Sequence, residues 1–191
     1  MWCYEKRLQY PVNIKNSNPK LAKIILSQYG GPDGELASAV RYLSQRFTMP
    51  YPELKAVLTD IGTEELNHLE IIGTIIYQLT KNISKEEIEN NNFQDYFVNH
   101  TTGISPENLN ISIKSEPIAD LHENLSTEQK SRVTYENILR FCDDPAVKDP
   151  IKFLREREIV HYQRFGETLR MCTDKLNSKN FYEFNSSFKN H

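Results

Sequence analysis

Two segments of this sequence place a glutamate three residues before a histidine, in the middle of an otherwise apolar helical pattern. The first pair is Glu65 and His68, and the second is Glu158 and His161. Residues three apart are neighbours on a helix surface, so each pair can direct a carboxylate oxygen and an imidazole nitrogen at one point. Burying an unpaired charge costs on the order of several kcal/mol. These pairs are therefore expected to face a cation.

The apolar stripes around the two pairs indicate that both lie in the core. Positions at alternating spacings of three and four share one face of a helix. In the first segment these positions are Leu58, Ile61, Glu65, His68, Ile72, Ile75 and Leu79. In the second they are Ile151, Leu154, Glu158, His161, Phe165 and Cys172.

Two further helical segments each carry one glutamate on the side expected to face the core, Glu35 and Glu128. Two Glu-x-x-His pairs and one glutamate from each of two other helices form the dinuclear carboxylate sites of ferritin-like bundles. Several carboxylates are needed because neighbouring cations repel each other, and neutral imidazoles complete the coordination. A single Glu-x-x-His pair is more often an ordinary polar pair of a helix. The whole set favours a metal site.

Proline, glycine and capping signals divide the chain into helices that can bring these residues together. Helical patterns cover residues 19–29, 35–47, 53–79, 118–142 and 150–176, with a short helix after the capping box at 84–87. Residues 30–34 interrupt the first bundle helix, and 143–150 are predicted to form a turn. Periodicity is absent from 93–117, which predicts a long crossing loop. The sequence thus predicts an all-α, ferritin-like four-helix bundle with a dinuclear metal site in its core.

Length and composition are typical of one soluble domain. This domain is predicted to span residues 1–176, including an N-terminal arm at 1–18, and to be followed by a polar tail at 177–191. The chain has 191 residues, of which 38% are hydrophobic and 26% charged, and a net charge of −3. Because it has no basic run, neither nucleic acid nor a membrane surface is expected as a partner. No apolar run is long enough for a membrane span.

The cysteines and the N-terminus indicate where the protein is made. Three cysteines far apart, with no CxxC, fit free thiols in a reducing compartment better than a disulfide framework. The first residues are charged, so no secretory signal peptide is predicted. We therefore expect synthesis in the cytoplasm.

Four motifs in order along the chain resemble the manganese catalase family, in particular its short, CotJC-like spore-coat branch. They are LQYPV, GGPDGELASAVRYLSQ, IGTEELNHLEIIGTII and DDPAVKDPIKFLREREIVHYQRFGE, and the similarity covers most of residues 5–172. The resemblance implies a bridging ligand, Glu65, between two manganese ions. The implied remaining ligands are Glu35 and His68 on one ion, and Glu128 and His161 on the other.

The resemblance also implies roles beside the metal ligands. Glu158 resembles the family's acid/base glutamate, which transfers protons and is not a metal ligand. Tyr42, beyond Glu35 on the same face, resembles the tyrosine that hydrogen-bonds this ligand. Some family members carry an arginine just before the third glutamate, where this chain has Thr127.

The remaining acidic residues and histidines are predicted to have no part in the site. Those expected to be solvated or paired at the surface are Glu64, Glu70, Glu123, Glu156 and Glu167. His100 and His122 have no matching carboxylate at helical spacing and are expected on a loop or at the surface, and His191 is terminal.

The function implied by the resemblance is a catalase that disproportionates hydrogen peroxide to water and dioxygen on two manganese ions. It implies a homo-oligomer, hexameric in the family, located on the spore coat with other coat proteins as partners. Two alternatives stay open. In the first, the protein is a structural coat component with a vestigial metal site. In the second, it is a di-iron oxidase of the same fold, with iron in place of manganese and Glu158 as an additional ligand.

Overall fold

The structure, a computed structural model, describes residues 7–90 and 116–178. These residues form six helices: α1 (Pro19–Gly30), α2 (Glu35–Gln45), α3 (Pro52–Thr80), α4 (Lys85–Asn90), α5 (Pro117–Phe141) and α6 (Pro145–Ser178). The described ranges contain no strand. Most of the predicted crossing loop, the first residues of the arm and nearly all of the predicted tail lie outside the described residues.

Local signals account for where several helices begin. Proline occupies the first turn of α1, α3 and α5, where its missing N–H has no intrahelical acceptor. Asn18 caps α1, since its Oδ1 accepts the N–H of Leu21 at 3.0 Å. The capping box predicted before α4 is confirmed, because Ser84 Oγ accepts the N–H of Glu87 and Glu87 Oε2 accepts the N–H of Ser84.

The last helix begins earlier than predicted. The turn expected at 143–150 is largely helical, because α6 starts at Pro145 and contains Pro150 in its interior. Asp144 caps this start: its Oδ1 accepts the N–H of Ala146 at 2.9 Å, and its backbone carbonyl accepts two further N–H groups. Pro150 removes only one hydrogen bond, in the second turn of a helix that is anchored at both sides of it. The prediction was wrong because it took both prolines as boundaries.

Two glycines allow the predicted break between α1 and α2. A Cβ at Gly31 would lie 2.3 Å from the carbonyl oxygen of Ser27, and one at Gly34 would lie 2.8 Å from that of Gln28. Only glycine therefore fits where the start of α2 packs against the end of α1. The break makes Glu35 the first residue of a new helix, at its electropositive end.

Contacts between early residues of one helix and late residues of another show how the bundle is connected. Helix α2 runs antiparallel to α3 and to α5, and α3 runs antiparallel to α6. The contacts that show this are Glu35 with His68, Leu43 with Gly62, Glu35 with Tyr135, Tyr42 with Glu128, Glu53 with Lys175, and Asp60 with Arg164. Helices α3 and α5 therefore share one direction, so the end of α3 and the start of α5 lie at opposite ends of the bundle. This is the predicted ferritin-like connectivity.

Two apolar clusters fill the core on either side of a polar layer. One includes Ile71, Ile72, Ile75, Ile138, Ile151 and Leu154. The other includes Leu54, Leu58, Ile61, Leu121, Phe165 and Cys172. The predicted stripes of α3 and α6 are confirmed, since all of their members are buried. Among the helices of the described ranges, none has the length and hydropathy needed to cross a membrane.

Gly62 of α3 provides a test of the packing between α2 and α3. A Cβ there would lie 2.9 Å from Leu43 Cγ and 3.2 Å from Leu43 N, whereas a Cβ at Gly166 of α6 would meet no atom within 4 Å. Alanine stabilises a helix interior by up to about 1 kcal/mol relative to glycine, and overpacking a core costs about 1–3 kcal/mol. Chemical denaturation is expected to show a higher free energy of unfolding for Gly166→Ala and a lower one for Gly62→Ala. Equal stabilisation of both variants would contradict the close packing at Leu43.

Candidate metal centre

The six predicted acidic and imidazole side chains of the metal site converge at one place in the polar layer. Each of the four bundle helices contributes, with α2 and α5 giving one glutamate and α3 and α6 giving a glutamate and a histidine. None is more than 3% exposed: Glu35, Glu65, His68, Glu128, Glu158 and His161. Because these residues interrupt the apolar stripes, the two apolar clusters close the site from both ends.

Glu65 lies at the middle of this group. Its Oε2 is 3.1 Å from Nδ1 of His68, and its Oε1 is 2.8 Å from Nδ1 of His161. Glu35 Oε2 lies 3.5 Å from the first of these nitrogens, and Glu128 Oε2 lies 3.5 Å from the second. The side chains therefore form two halves that share Glu65.

The acidic groups of the site oppose one another's ionisation. Burial and the negative charge of Glu65 raise the pKa of Glu35 to about 8. Burial, with the charges of neighbouring carboxylates, also raises the pKa of Glu158 well above its usual value. Burial disfavours ionisation of Glu65 too, but the two imidazoles hold its pKa below the usual range. Of Glu35, Glu65 and Glu158, Glu65 is thus the carboxylate most readily kept as an anion.

The donor set fits a dinuclear metal centre. Several ligand atoms lack a well-directed hydrogen bond within the described part of the chain, among them Glu65 Oε1, Glu128 Oε2, Glu158 Oε1 and His161 Nδ1. One ligand atom each from Glu65, His68, Glu158 and His161 lie within 4.8 Å of one another. Buried polar atoms normally have partners, and cations between these atoms would supply them. Carboxylates and imidazoles without a thiolate suit manganese or iron.

Two tyrosines hydrogen-bond the carboxylates of Glu35 and Glu128, which lie on either side of Glu65. The sequence predicted this pattern only in part. Tyr42 donates its hydroxyl to Glu128, and Tyr135 donates its hydroxyl to Glu35. The implied bond from Tyr42 to Glu35 is a wrong expectation, because seven residues of helix separate them by roughly 10 Å. Tyr42 instead reaches across to the antiparallel α5. Tyr135 was missed, although the same Glu-to-Tyr spacing of seven residues in α2 and α5 was a usable signal.

Glu64 belongs to the site, contrary to the prediction that it serves the surface. It is paired with Arg157, as a surface residue would be, but only 11% of its side chain is exposed. Its Oε1 lies 3.6 Å from Nε2 of His68, and its Oε2 lies 3.2 Å from Nε2 of His161. Burial opposes its ionisation, yet the two imidazoles and the guanidinium hold its pKa below the usual range. Its position four residues before His68 was the signal in the sequence.

Thr127 occupies the position where some family members have an arginine. Its hydroxyl accepts a hydrogen bond from a guanidinium group of another helix. Arg41 of α2 is only 4% exposed, and its Nη1 donates to Thr127 Oγ1. The same side chain lies beside the carbonyl of Pro32 at 3.5 Å. A buried positive charge therefore remains next to the Tyr42–Glu128 pair despite the threonine.

Of the other histidines, His122 is exposed, as predicted, and His100 and His191 lie outside the described residues. Glu70, Glu156 and Glu167 are also exposed, as predicted.

Most of the chain matches one family in comparisons with known proteins. The model of the manganese containing catalase family matches residues 1–105 and 94–180. Protein CotJC of Bacillus subtilis is 45% identical over 190 residues, which cover 95% of this chain and 100% of that protein. A probable manganese catalase of Clostridium acetobutylicum is 32% identical over 194 residues, covering 95% of this chain and 85% of the relative.

A solved structure agrees with these matches. The crystal structure of wild-type KatB, a manganese catalase from Anabaena, superposes with a TM-score of 0.74 at 30% identity, over 90% of this chain and 80% of that chain. The helical bundle and its buried glutamates and histidines agree with the sequence matches. The chain therefore belongs to the manganese catalase family.

Proposed function

We propose that this protein is a dimanganese catalase, which converts two molecules of hydrogen peroxide into two of water and one of dioxygen. The observation that carries the proposal is the convergence of four carboxylates and two imidazoles in one buried layer, in a member of the manganese catalase family. Two manganese ions, when bound, would supply a two-electron redox cycle between their divalent and trivalent states.

The proposed ligands divide as the site's two halves do. Glu65 would bind both ions, and each ion would take one further glutamate and one histidine. The pairs are Glu35 with His68, and Glu128 with His161. The support is that each pair places a carboxylate oxygen 3.5 Å from Nδ1 of its histidine. Tyr42 and Tyr135 orient the two outer glutamates by donating a hydrogen bond to each.

Glu158 is the proposed acid/base. Oxidising one peroxide to dioxygen releases two protons and two electrons, and reducing a second peroxide to two waters consumes them. A group that stores protons inside the site is therefore needed. Glu158 is buried, its Oε1 lies 3.7 Å from His68 Nδ1, and burial with the neighbouring carboxylates raises its pKa well above the usual value, which favours a proton on this side chain.

One observation favours a second candidate function, a di-iron oxidase. The four residues whose ligand atoms lie within 4.8 Å of one another include Glu158 but neither Glu35 nor Glu128. If Glu158 were a ligand, the centre would be more anionic and better suited to iron in an oxidase. Elemental analysis of protein produced with manganese and iron both supplied separates the two candidates. Two manganese ions per chain are expected, and two irons would favour the oxidase.

Oxygen evolution tests the catalase proposal directly. Metal-free protein reloaded with manganese is mixed with hydrogen peroxide in an oxygen electrode, beside the same protein reloaded with redox-inactive zinc. We expect one dioxygen for every two peroxides from the manganese protein and none from the zinc protein. A manganese-loaded protein that evolves no oxygen would leave a structural role of the metal as the better conclusion.

Metal binding is expected to release protons at neutral pH. Glu35 has a pKa of about 8 in the protein alone, and the surrounding carboxylates raise the pKa of both imidazoles against the effect of their burial. Glu35 therefore holds a proton at pH 7 and the raised imidazole pKa values favour protonated rings, whereas ligands bind metal in their deprotonated form. Apparent manganese affinity should therefore rise between about pH 6 and 8. Isothermal titration calorimetry in two buffers of different ionisation enthalpy counts the protons. A heat independent of the buffer would contradict the raised pKa values.

We further propose that the protein resides in the spore coat as a homo-oligomer, in contact with other coat proteins. The support is its similarity to protein CotJC over the whole of that relative, together with the motifs that resemble the spore-coat branch of the family. Immunogold labelling of sectioned spores tests the location, and light scattering of the purified protein tests self-association. Label confined to the spore core, or a monomer in solution, would contradict the corresponding part of the proposal.

A further inference from the structure

Both histidines of the centre turn the same ring nitrogen toward the carboxylates. Nδ1 of His68 and Nδ1 of His161 both lie within hydrogen-bonding distance of Glu65. The Nε2 atoms lie on the other side of the rings, where they are buried and lack a well-directed hydrogen bond among the described residues. A buried N–H without an acceptor costs about 1–3 kcal/mol. An acceptor for both Nε2–H groups is therefore expected close by.

Glu64 lies beside both of these Nε2 atoms. Its two oxygens are divided between the rings, with Oε1 3.6 Å from Nε2 of His68 and Oε2 3.2 Å from Nε2 of His161. Arg157 grips the same carboxylate, with its Nε 2.6 Å from Oε1 and its Nη2 3.1 Å from Oε2. Gln9 adds a third donor to Oε1 at 3.3 Å. These donors fix the carboxylate and keep it ionised.

The N-terminal arm holds Gln9 in this place. The backbone N–H of Gln9 donates to Asn67 Oδ1 at 3.0 Å, and Asn67 Nδ2 donates to the carbonyl of Arg7 at 3.0 Å. Asn67 lies one residue before the histidine of α3. Glu64 is therefore enclosed by α6 on one side and by the arm on the other.

We infer that Glu64 is a positioning residue shared by both halves of the centre. It is placed to accept the Nε2–H groups of His68 and His161 once the rings bind metal, which would fix both rings in the tautomer that leaves Nδ1 free to bind a cation. Carboxylates that hold a metal-binding histidine in this way raise its affinity for the metal. Here one carboxylate serves two histidines, so both ion positions depend on it. This role rests on the proposed function, because it requires that the two imidazoles bind metal.

The variant Glu64→Gln tests this role through metal affinity. The amide keeps the size of the side chain, but its single oxygen can accept from only one ring while its NH₂ group faces the other. Metal-free protein is titrated with Mn²⁺ alone, and the free ion is measured by electron paramagnetic resonance. The dissociation constants of both ions are expected to rise about 10- to 100-fold. Glu70→Gln removes the same charge from an exposed position of α3 and is expected to leave both constants unchanged.

A spectroscopic measurement separates positioning from a general effect on the fold. Protein loaded with diamagnetic Zn²⁺ and labelled with ¹⁵N is expected to show two low-field Nε2–H signals, one for each ring bound to the carboxylate. Both signals should move upfield or exchange with water in Glu64→Gln and stay in place in Glu70→Gln. The wild-type spectrum alone keeps the inference testable if the variant does not fold, because two ordinary Nε2–H shifts would overturn it.

The outcomes distinguish this inference from the proposed catalase. An active enzyme whose Glu64→Gln variant binds both ions as tightly as the wild type overturns the positioning role and leaves the catalase intact. Weakening of one ion alone overturns the shared role. A wild-type protein that binds no pair of ions overturns both.

Discussion

Replacing Glu65 by alanine is expected to remove both metal ions and all oxygen evolution from the protein. This side chain reaches both halves of the centre, because its two oxygens lie 3.1 Å and 2.8 Å from the Nδ1 atoms of the two histidines. Without it, two neighbouring cations would lose the anion between them. Loss of a partner that merely orients a ligand weakens metal binding about 10- to 100-fold, and loss of a shared ligand should weaken it more. Metal content is expected to fall from two ions per chain to less than one.

Elemental analysis and an oxygen electrode measure the two parts of this result. The matched control is Glu70→Ala, which removes a glutamate from an exposed position of the same helix and should keep both ions and full activity. Circular dichroism of the metal-free variants checks that the helices are retained. Two manganese ions in Glu65→Ala would refute the bridging role. If neither the wild type nor the variant evolved oxygen from hydrogen peroxide, the catalase proposal would be refuted.

The convergence of the metal-site residues could be predicted because each one lies on the buried face of a helix. A stripe with the helical period determines which side of a helix is buried, and Glu65 and His68 fall in the middle of one such stripe. The buried faces of the bundle helices all point toward one core, so acidic residues on these faces are expected to lie close together. The glycine and proline signals then give the connections. Those two kinds of local pattern were enough for the bundle and its buried layer.

The partners of the two tyrosines could not be predicted in the same way. A stripe defines a face, but it does not define how far one helix is shifted along its neighbour. A shift by one turn would preserve the buried faces of α2 and α5 and change which residue Tyr42 meets. The observed register places Tyr42 at Glu128 and Tyr135 at Glu35. Packing of the complete bundle sets this register.

Glu64 shows a second limit of local patterns. Beside Glu65 in the sequence, it has the spacing of a polar residue at the border of a buried stripe. Its burial comes from residues distant in the chain, since Gln9 is 55 residues away and Arg157 is 93 residues away. Only the tertiary structure brings the arm and α6 to the same carboxylate.

Two spacings of site residues occur twice in the sequence, and the comparison helps to define the proposed role of Glu158. Helices α2 and α5 each carry a glutamate followed seven residues later by a tyrosine, and α3 and α6 each carry Glu-x-x-His. Glu158 is therefore the counterpart of Glu65. Yet the pKa of Glu65 is lowered by the imidazoles, while that of Glu158 is raised by burial and by the other carboxylates. Two carboxylates whose surroundings drive their pKa values apart usually divide into an anion and an acid.

The variant Glu158→Gln is expected to keep both manganese ions and to lose most of its turnover. Glutamine has nearly the same size and still fills the buried position, but it cannot take up or release a proton. Removing a general acid/base typically lowers kcat by about 10²- to 10⁴-fold. The peroxide dependence of oxygen evolution gives kcat, and elemental analysis of the same sample gives the metal content.

Metal content decides between the two roles open to Glu158. Glu156→Gln is the matched control, because this glutamate lies two residues away on α6 with 57% of its side chain exposed, and its loss should change neither quantity. Two manganese ions with little turnover in Glu158→Gln would fit a proton carrier that does not hold the metal. Loss of an ion would instead make Glu158 a ligand and favour the more anionic, iron-binding centre. Because the side chain lies 3.7 Å from His68 Nδ1, it is close enough for either role, and only a variant that keeps its shape can separate proton transfer from metal binding.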